Sequence, residues 1–142
     1  MSRVLIVDDE PDILLMLRVN LEAHGYETAL AADGETALQR VKEDAFDLML
    51  LDVMMPVMDG WGVLENLQRM ASPLRVIVVS AKMSERDVLR AITSGAVDYI
   101  SKPFSPTMLR TLVGEVLAYD EPALAEHRRV RLERAGPSDP SG

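Results

Sequence analysis

The sequence predicts a doubly wound α/β domain built on an open parallel sheet, and three observations predict it. Five short apolar runs rich in Val, Ile and Leu recur along the chain, at Val4–Val7, Tyr26–Leu30, Leu48–Leu51, Leu74–Val79 and Val97–Ile100. Most are continuous and not alternating, the pattern of strands covered on both faces. Stretches of helical spacing separate them, so strand then helix repeats five times, and parallel strands joined by right-handed crossovers follow. At 142 residues the chain is too short for an eight-fold barrel, which leaves an open three-layer sandwich.

Each element has its own signal. The first strand meets Asp8 after four apolar residues, far short of the apolar core of a signal peptide. Pro11 to His24 then carries Ile13, Met16, Leu17 and Leu21 at helical spacing, with Pro11 in the first turn and Gly25 as the stop. The second strand runs out at Leu30-Ala31 with no polar group, which fits the border of the sheet. Gly34–Glu43, Gly60–Met70, Ser84–Thr93 and Ser105–Ala118 repeat the helical spacing, the last two with Ser84 and Ser105 as caps. From about Asp120 the pattern changes. Pro122 discourages continuation of the fifth helix, and residues 123–135 favour helix without a clean apolar stripe. Gly136–Gly142 reads as a flexible end. The expected division is therefore a domain at 1–119 and a tail at 120–142, helical over about 122–135.

Composition narrows the function classes. Apolar residues make up 48% of the chain and charged ones 27%, a globular balance. A net charge of -8 repels phosphate backbones, which argues against direct nucleic-acid binding by this chain. The absence of cysteine removes disulfides and thiolate metal sites. No apolar stretch reaches transmembrane length, so the expectation is a soluble cytoplasmic protein without membrane insertion.

Ligands of open α/β sheets bind outside the carboxyl ends of the strands. Here strand one ends at Asp8-Asp9, strand three at Asp52, strand four at Ser80 and strand five at Lys102. Three carboxylates, a hydroxyl and an ammonium should thus converge on one edge. Carboxylates packed closely repel by about 4 kcal/mol per pair at an effective dielectric of 20, so the cluster asks for a cation. Oxygen donors without His or Cys point to a hard ion, and Mg2+ suits a site that keeps waters and accepts phosphate oxygens. Lys102 suits a phosphoryl oxygen and Ser80 could donate to another. The constellation points to phosphoryl transfer onto a carboxylate.

The residues Asp8-Asp9, DVMMPVMDG at 52–60, Ser80-Ala81 and Lys102-Pro103-Phe104 resemble the receiver domain of two-component response regulators, over residues 3 to about 118. The resemblance implies a flavodoxin-like (βα)5 sandwich with strand order 2-1-3-4-5. It implies that Asp52 is the phosphoacceptor for a histidine kinase, a phosphotransfer protein or a small phosphodonor. By the same resemblance Asp9, Asp52 and the backbone carbonyl of Met54 ligate Mg2+, with Mn2+ as a substitute, and Asp8 acts through a bound water. Lys102 bridges to the phosphoryl group, Ser80 hydrogen-bonds it after transfer, and Tyr99 turns inward when Ser80 moves. The Lys102-Pro103 bond is expected to be cis, and Met54 and Lys82 occupy the positions that tune dephosphorylation. The face of the fourth helix, fifth strand and fifth helix would bind an effector or a second copy. Kinase specificity would lie around Leu14–Arg18 and Phe104-Ser105-Pro106. Such a protein is a signalling phosphoacceptor that catalyses only its own phosphorylation and dephosphorylation, and is not otherwise an enzyme.

Blander readings compete residue by residue. Alone, Asp8-Asp9 reads as a solvated turn, Ser80 as a turn hydroxyl, Lys102 as a surface lysine and Tyr99 as a core-edge residue; their common edge favours the site. Of nine methionines, Met16, Met49 and Met70 sit at core spacing, whereas Met54, Met55 and Met58 fall in the loop after Asp52 and could shield an acyl phosphate. Trp61 is expected at the surface. His24 and His127 have no partner His or Cys nearby, and Arg128, Arg129, Arg131 and Arg134 interleave with Glu126 and Glu133 as on a solvated helix. A pseudo-receiver would lack the acceptor, the acid pair or the lysine, and none is missing. An Asp-nucleophile phosphatase would place Asp where Met54 stands, a flavodoxin would want a Ser/Thr-rich loop at Asp8-Asp9-Glu10, and the Gly-rich loop of a P-loop NTPase is absent. The chain reads either as a single-domain regulator or as the receiver fragment of a longer one with a DNA-binding or enzymatic output domain.

Overall fold

The computed structural model describes residues 2–55, 59–81 and 84–135. Five strands alternate with five helices: β1 (Arg3–Val7), α1 (Pro11–Glu22), β2 (Glu27–Ala31), α2 (Gly34–Glu43), β3 (Leu48–Leu51), α3 (Gly60–Arg69), β4 (Arg75–Ser80), α4 (Glu85–Thr93), β5 (Asp98–Ser101) and α5 (Pro106–Ala118). A sixth helix, α6 (Glu121–Ala135), closes the described chain. All pairings are parallel, and the strand order is β2-β1-β3-β4-β5. Strand ends move by a residue from the sequence expectation where a turn claims the first N–H. Tyr26 donates to Leu21 O and Leu74 to the Ser72 hydroxyl, so β2 and β4 begin one residue later.

The two-residue period of the strands divides the core into two. Leu5, Val7, Met49, Leu51, Val76 and Val78 point to one face, where Ala37, Leu38, Val63, Leu64 and Ile92 of α2, α3 and α4 cover them. Val4, Ile6, Leu48, Leu50, Ile77 and Val79 point to the other, under Leu17, Leu21, Leu109 and Val113 of α1 and α5. Burial on both sides is why these runs are continuous and not alternating. Glycine Gly25 ends the first helical segment at φ 90°, a conformation that side-chain-bearing residues avoid. Ser84 and Ser105 cap α4 and α5 through bonds from Asp87 N–H and Met108 N–H, and Asp87 returns the bond to complete a capping box.

Several expectations need correcting. Met49 is core, but Met16 and Met70 are exposed, because α1 and α3 bury their leucines instead. Trp61 is 8% exposed: it joins the α2–α3–α4 core, and the Arg90 guanidinium stacks 4.2 Å from the ring centroid. The tail is not a solvated helix. Helix α6 lies against α4, with Leu124 and Leu132 reaching the two cores, and His127 is bound by Asp98 and Tyr119.

Candidate functional site

The sheet's hydrogen-bond ladder extends beyond the strands and fixes the site's backbone. Asp8 N–H donates to Ala31 O, Asp52 N–H to Val7 O and Lys102 N–H to Ser80 O, at 3.1, 2.9 and 2.8 Å. Asp8, Asp52 and Lys102 are thus each the first residue after a strand, held by the neighbouring strand. Asp52 and Asp8 are 4% and 2% exposed.

The two acids are held alike. Asp52 Oδ1 accepts from Met54 N–H at 2.8 Å, and Asp8 Oδ1 accepts from Glu10 N–H at 3.0 Å. Their second oxygens share one cation, since Lys102 Nζ donates to Asp8 Oδ2 at 2.8 Å and to Asp52 Oδ2 at 3.1 Å. Burial pushes the Asp8 carboxyl above its usual range, with the Asp52 charge adding, against the hydrogen bonds from Lys102 and the Glu10 N–H. Burial pulls the Lys102 ammonium down, but the bonds and charges of Asp8 and Asp52 together outweigh it and leave the group above its ordinary value. The lysine is thus fully charged at neutral pH. The Lys102-Pro103 peptide that presents it is cis.

Asp8, Asp9, Glu10 and Asp52 each bring one carboxylate oxygen within 4.8 Å of the others. One ammonium against four acids leaves an excess of negative charge, and the all-oxygen donor set fits a hard divalent ion. Glu10 was missed in the sequence reading, although it continues the acidic run and lies 3.6 Å from Lys102 Nζ. Asp9 is exposed, as a residue facing a solvated ion would be.

The remaining positions fall around this centre. Ser80, at the end of β4, is 0% exposed, and its hydroxyl has no hydrogen-bond partner among the described residues. A buried hydroxyl left unpaired costs about 1–3 kcal/mol, so it is suited to a ligand that supplies an acceptor. Tyr99 is half-buried, packs on the α2–α3–α4 core and has Arg131 5.8 Å from its ring centroid. Met54 is 65% exposed beside Asp52, whereas Met55 turns into the core and so cannot serve as a shield. Pro56, Met58 and Lys82 lie outside the described residues. At the far end of the loop, Asp59 caps α3 through Gly62 N–H, and Gly60 N–H donates to Val53 O.

This is an acid-rich edge at the carboxyl end of a 2-1-3-4-5 sheet, and the family model for the response regulator receiver domain matches residues 4–114. The chain belongs to the response regulator receiver family. Among curated relatives, it is 38% identical over 120 residues to the alkaline phosphatase synthesis transcriptional regulatory protein PhoP of Bacillus subtilis, covering 84% of this chain and 50% of that protein. This receiver chain spans about half the length of the curated relatives it matches. Among solved structures, the chemotaxis protein CheY4 of Vibrio cholerae superposes with a TM-score of 0.78 at 30% identity, over 82% of this chain and 98% of that one. The response regulator TrrA of Thermotoga maritima, solved in complex with Mg2+ and BeF, gives 0.74 at 32% identity over 82% and 99% of the two chains.

Proposed function

We propose that this receiver accepts a phosphoryl group on Asp52, in the presence of Mg2+, from a histidine kinase, a phosphotransfer protein or a small phosphodonor. The observation that carries the reading is the holding of Asp52. It is a buried carboxylate at a strand end, one oxygen fixed by Met54 N–H and the other by Lys102 Nζ. A nucleophile so restrained has little orientational freedom to lose on the way to an in-line attack. The Asp52 oxygen forms the bond to phosphorus as the bond from phosphorus to the donor's imidazole nitrogen or acyl oxygen breaks, and the donor leaves with that electron pair. Lys102 is already within reach of the Asp52 oxygen that would carry the phosphoryl group, and the unpaired Ser80 hydroxyl can donate to a phosphoryl oxygen.

Asp9 and Asp52 would hold the ion together with the Met54 carbonyl, Asp8 would act through water, and Glu10 stands close enough to join them. The ion supplies charge neutralisation for the transferring oxygens. TrrA in its Mg2+ and BeF complex supports this assignment by likeness.

Arrival of the phosphoryl group adds roughly 1.5 to 2 negative charges and new acceptors beside Ser80. Ser80 is drawn to it, Tyr99 shifts, and the surface of α4, β5 and α5 changes toward an effector or a second copy. The protein then acts as a phosphoacceptor in the cytoplasm, where such kinases present their phosphohistidine; among the described residues no helix is long and apolar enough to cross a membrane. Because the chain spans only about half the length of its curated relatives, the same chemistry also suits the receiver part of a longer regulator.

Acetyl phosphate with Mg2+ should retard the protein on a phosphate-affinity gel, and Asp52→Asn should abolish the shift. A shift of wild-type size in Asp52→Asn refutes Asp52 as the acceptor.

A further inference from the structure

Helix α6 has no continuous apolar stripe; Leu124 and Leu132 pack on the two cores, and charged side chains between them supply the polar part of the docking. The Asp98 carboxylate of β5 is 0% exposed, and α6 covers it. His127 Nε2–H donates to Asp98 Oδ2 at 2.7 Å, and Arg131 Nε sits 3.1 Å from Oδ1, an oxygen that also takes Tyr99 N–H. Tyr119, at the C-cap of α5, hydrogen-bonds His127 Nδ1 at 3.2 Å. Arg128 donates to Ile92 O at 2.6 Å and to Ala96 O at 3.2 Å, closing the carboxyl end of α4 and the loop into β5. By contrast, among the described residues Arg129 pairs only with Glu126 and Glu133 of its own helix, facing solvent. Arginines one helical face apart thus have different jobs, and the inner face grips α4 and β5.

We propose that α6 is a releasable intramolecular occupant of the α4–β5 face, anchored on Asp98 and unlocked by occupancy of the Asp52 site. The lock and the switch share a residue boundary. Asp98, which binds α6, precedes Tyr99 in β5, and Arg131 both pairs with Asp98 and stands over the Tyr99 ring. Movement of Tyr99 takes away the surface on which Arg131 rests and disturbs the Tyr99 N–H bond to the same carboxylate. A partner using this face must displace α6 and bring its own cation to Asp98, since a buried carboxylate stripped of its partners is strongly destabilising. A basic helix carrying arginine or histidine at the positions of Arg131 and His127 has that chemistry.

The anchoring stands on the geometry of α6 alone; the unlocking rests on the phosphoacceptor reading. Hydrogen–deuterium exchange of the full chain separates them. Asp98→Asn, and independently His127→Ala with Arg131→Ala, should speed exchange of the α6 amides by at least about tenfold, leaving β3 and β4 as in wild type. The second variant changes only α6, so a folding defect of the β5 substitution does not decide the outcome. In wild type, Mg2+ with beryllofluoride should speed α6 exchange in the same direction, while fluorine NMR reports the bound fluoride. Unchanged α6 exchange in both variants overturns the anchoring. Unchanged α6 exchange in wild type with beryllofluoride bound overturns the unlocking but leaves the phosphoacceptor reading intact. No bound fluoride at all sinks that reading and the unlocking with it, while the variants still decide the anchoring.

Discussion

One lysine serves two buried acids, and this arrangement makes Asp52 both held and reachable. Lys102 cannot neutralise Asp8 and Asp52 fully, so the pair retains an appetite for a further cation, and a phosphoryl group on Asp52, as proposed, would bring its own oxygens within the lysine's reach. On the proposed reading, the nature of Met54 then bears on how long a phosphoryl group on Asp52 lasts. Its N–H is committed to Asp52 Oδ1, and its side chain, exposed beside Asp52, offers no oxygen or nitrogen that could orient an attacking water. The phosphoryl group on purified protein should therefore persist for minutes, not seconds, and Met54→Asn should shorten its lifetime several-fold. Loss of label within seconds from wild type, followed on the same gels, would sink this account of Met54. Much of the site was legible at this scale because Asp8, Asp52 and Ser80 directly follow apolar runs and Lys102 stands two residues after one. Asp8, Asp52 and Lys102 could be placed by counting, and Ser80 by its position closing the fourth run. Glu10 was not legible: only the fold of the β1–α1 turn brings its carboxylate back to Lys102.

At the level of elements, the junction of β3 with α3 decides whether Asp52 emerges in the right place. The chain leaves β3, runs through Met54 and Met55, and returns at Asp59-Gly60, where Gly60 packs directly on the backbone it left. A Cβ added at Gly60 would lie 2.4 Å from Val53 Cα and 2.6 Å from Asp52 O, distances that only backbone movement relieves. This glycine is required for close approach and not for an unusual dihedral. Gly60→Ala should cost about 1–3 kcal/mol in urea unfolding, the usual range for overpacking, and should weaken Mg2+ binding because the displaced atoms adjoin Asp52. Wild-type stability in this variant would mean that the loop yields without consequence, contrary to the contact distances. The Asp-Gly pair itself could be read from sequence as a turn before a helix. That its glycine abuts the Asp52 carbonyl could not, because the contact crosses a loop.

For the molecule as a whole, the division into layers followed from composition, and the fate of the tail did not. Continuous runs of Val, Ile and Leu announce strands covered twice, which suffices for the sandwich and its two cores. Helix α6 carries no such signal. Its grip depends on His127, Arg128 and Arg131 meeting Asp98 and the end of α4, and Asp98, the first residue of β5, has nothing in its sequence neighbours to mark it as an anchor. Trp61 was misplaced for a related reason, since its burial depends on α2 and α4 closing over α3. The same global view yields a test of the acidic edge. Asp8, Asp9, Glu10 and Asp52 cluster with a single lysine, which pairs with three of them, and a divalent ion bound there, as proposed, would relieve their mutual repulsion. A ligand that binds only the folded state at a hundred times its dissociation constant stabilises by about 2.7 kcal/mol. For a domain of this size that corresponds to a rise in Tm of roughly 5–11 °C. Thermal unfolding should show such a rise with saturating Mg2+, its reversal by EDTA, and a smaller one in Asp52→Asn, which removes a ligand charge. Equal Tm values with and without Mg2+ in the wild type would show that the four carboxylates do not act together on an ion.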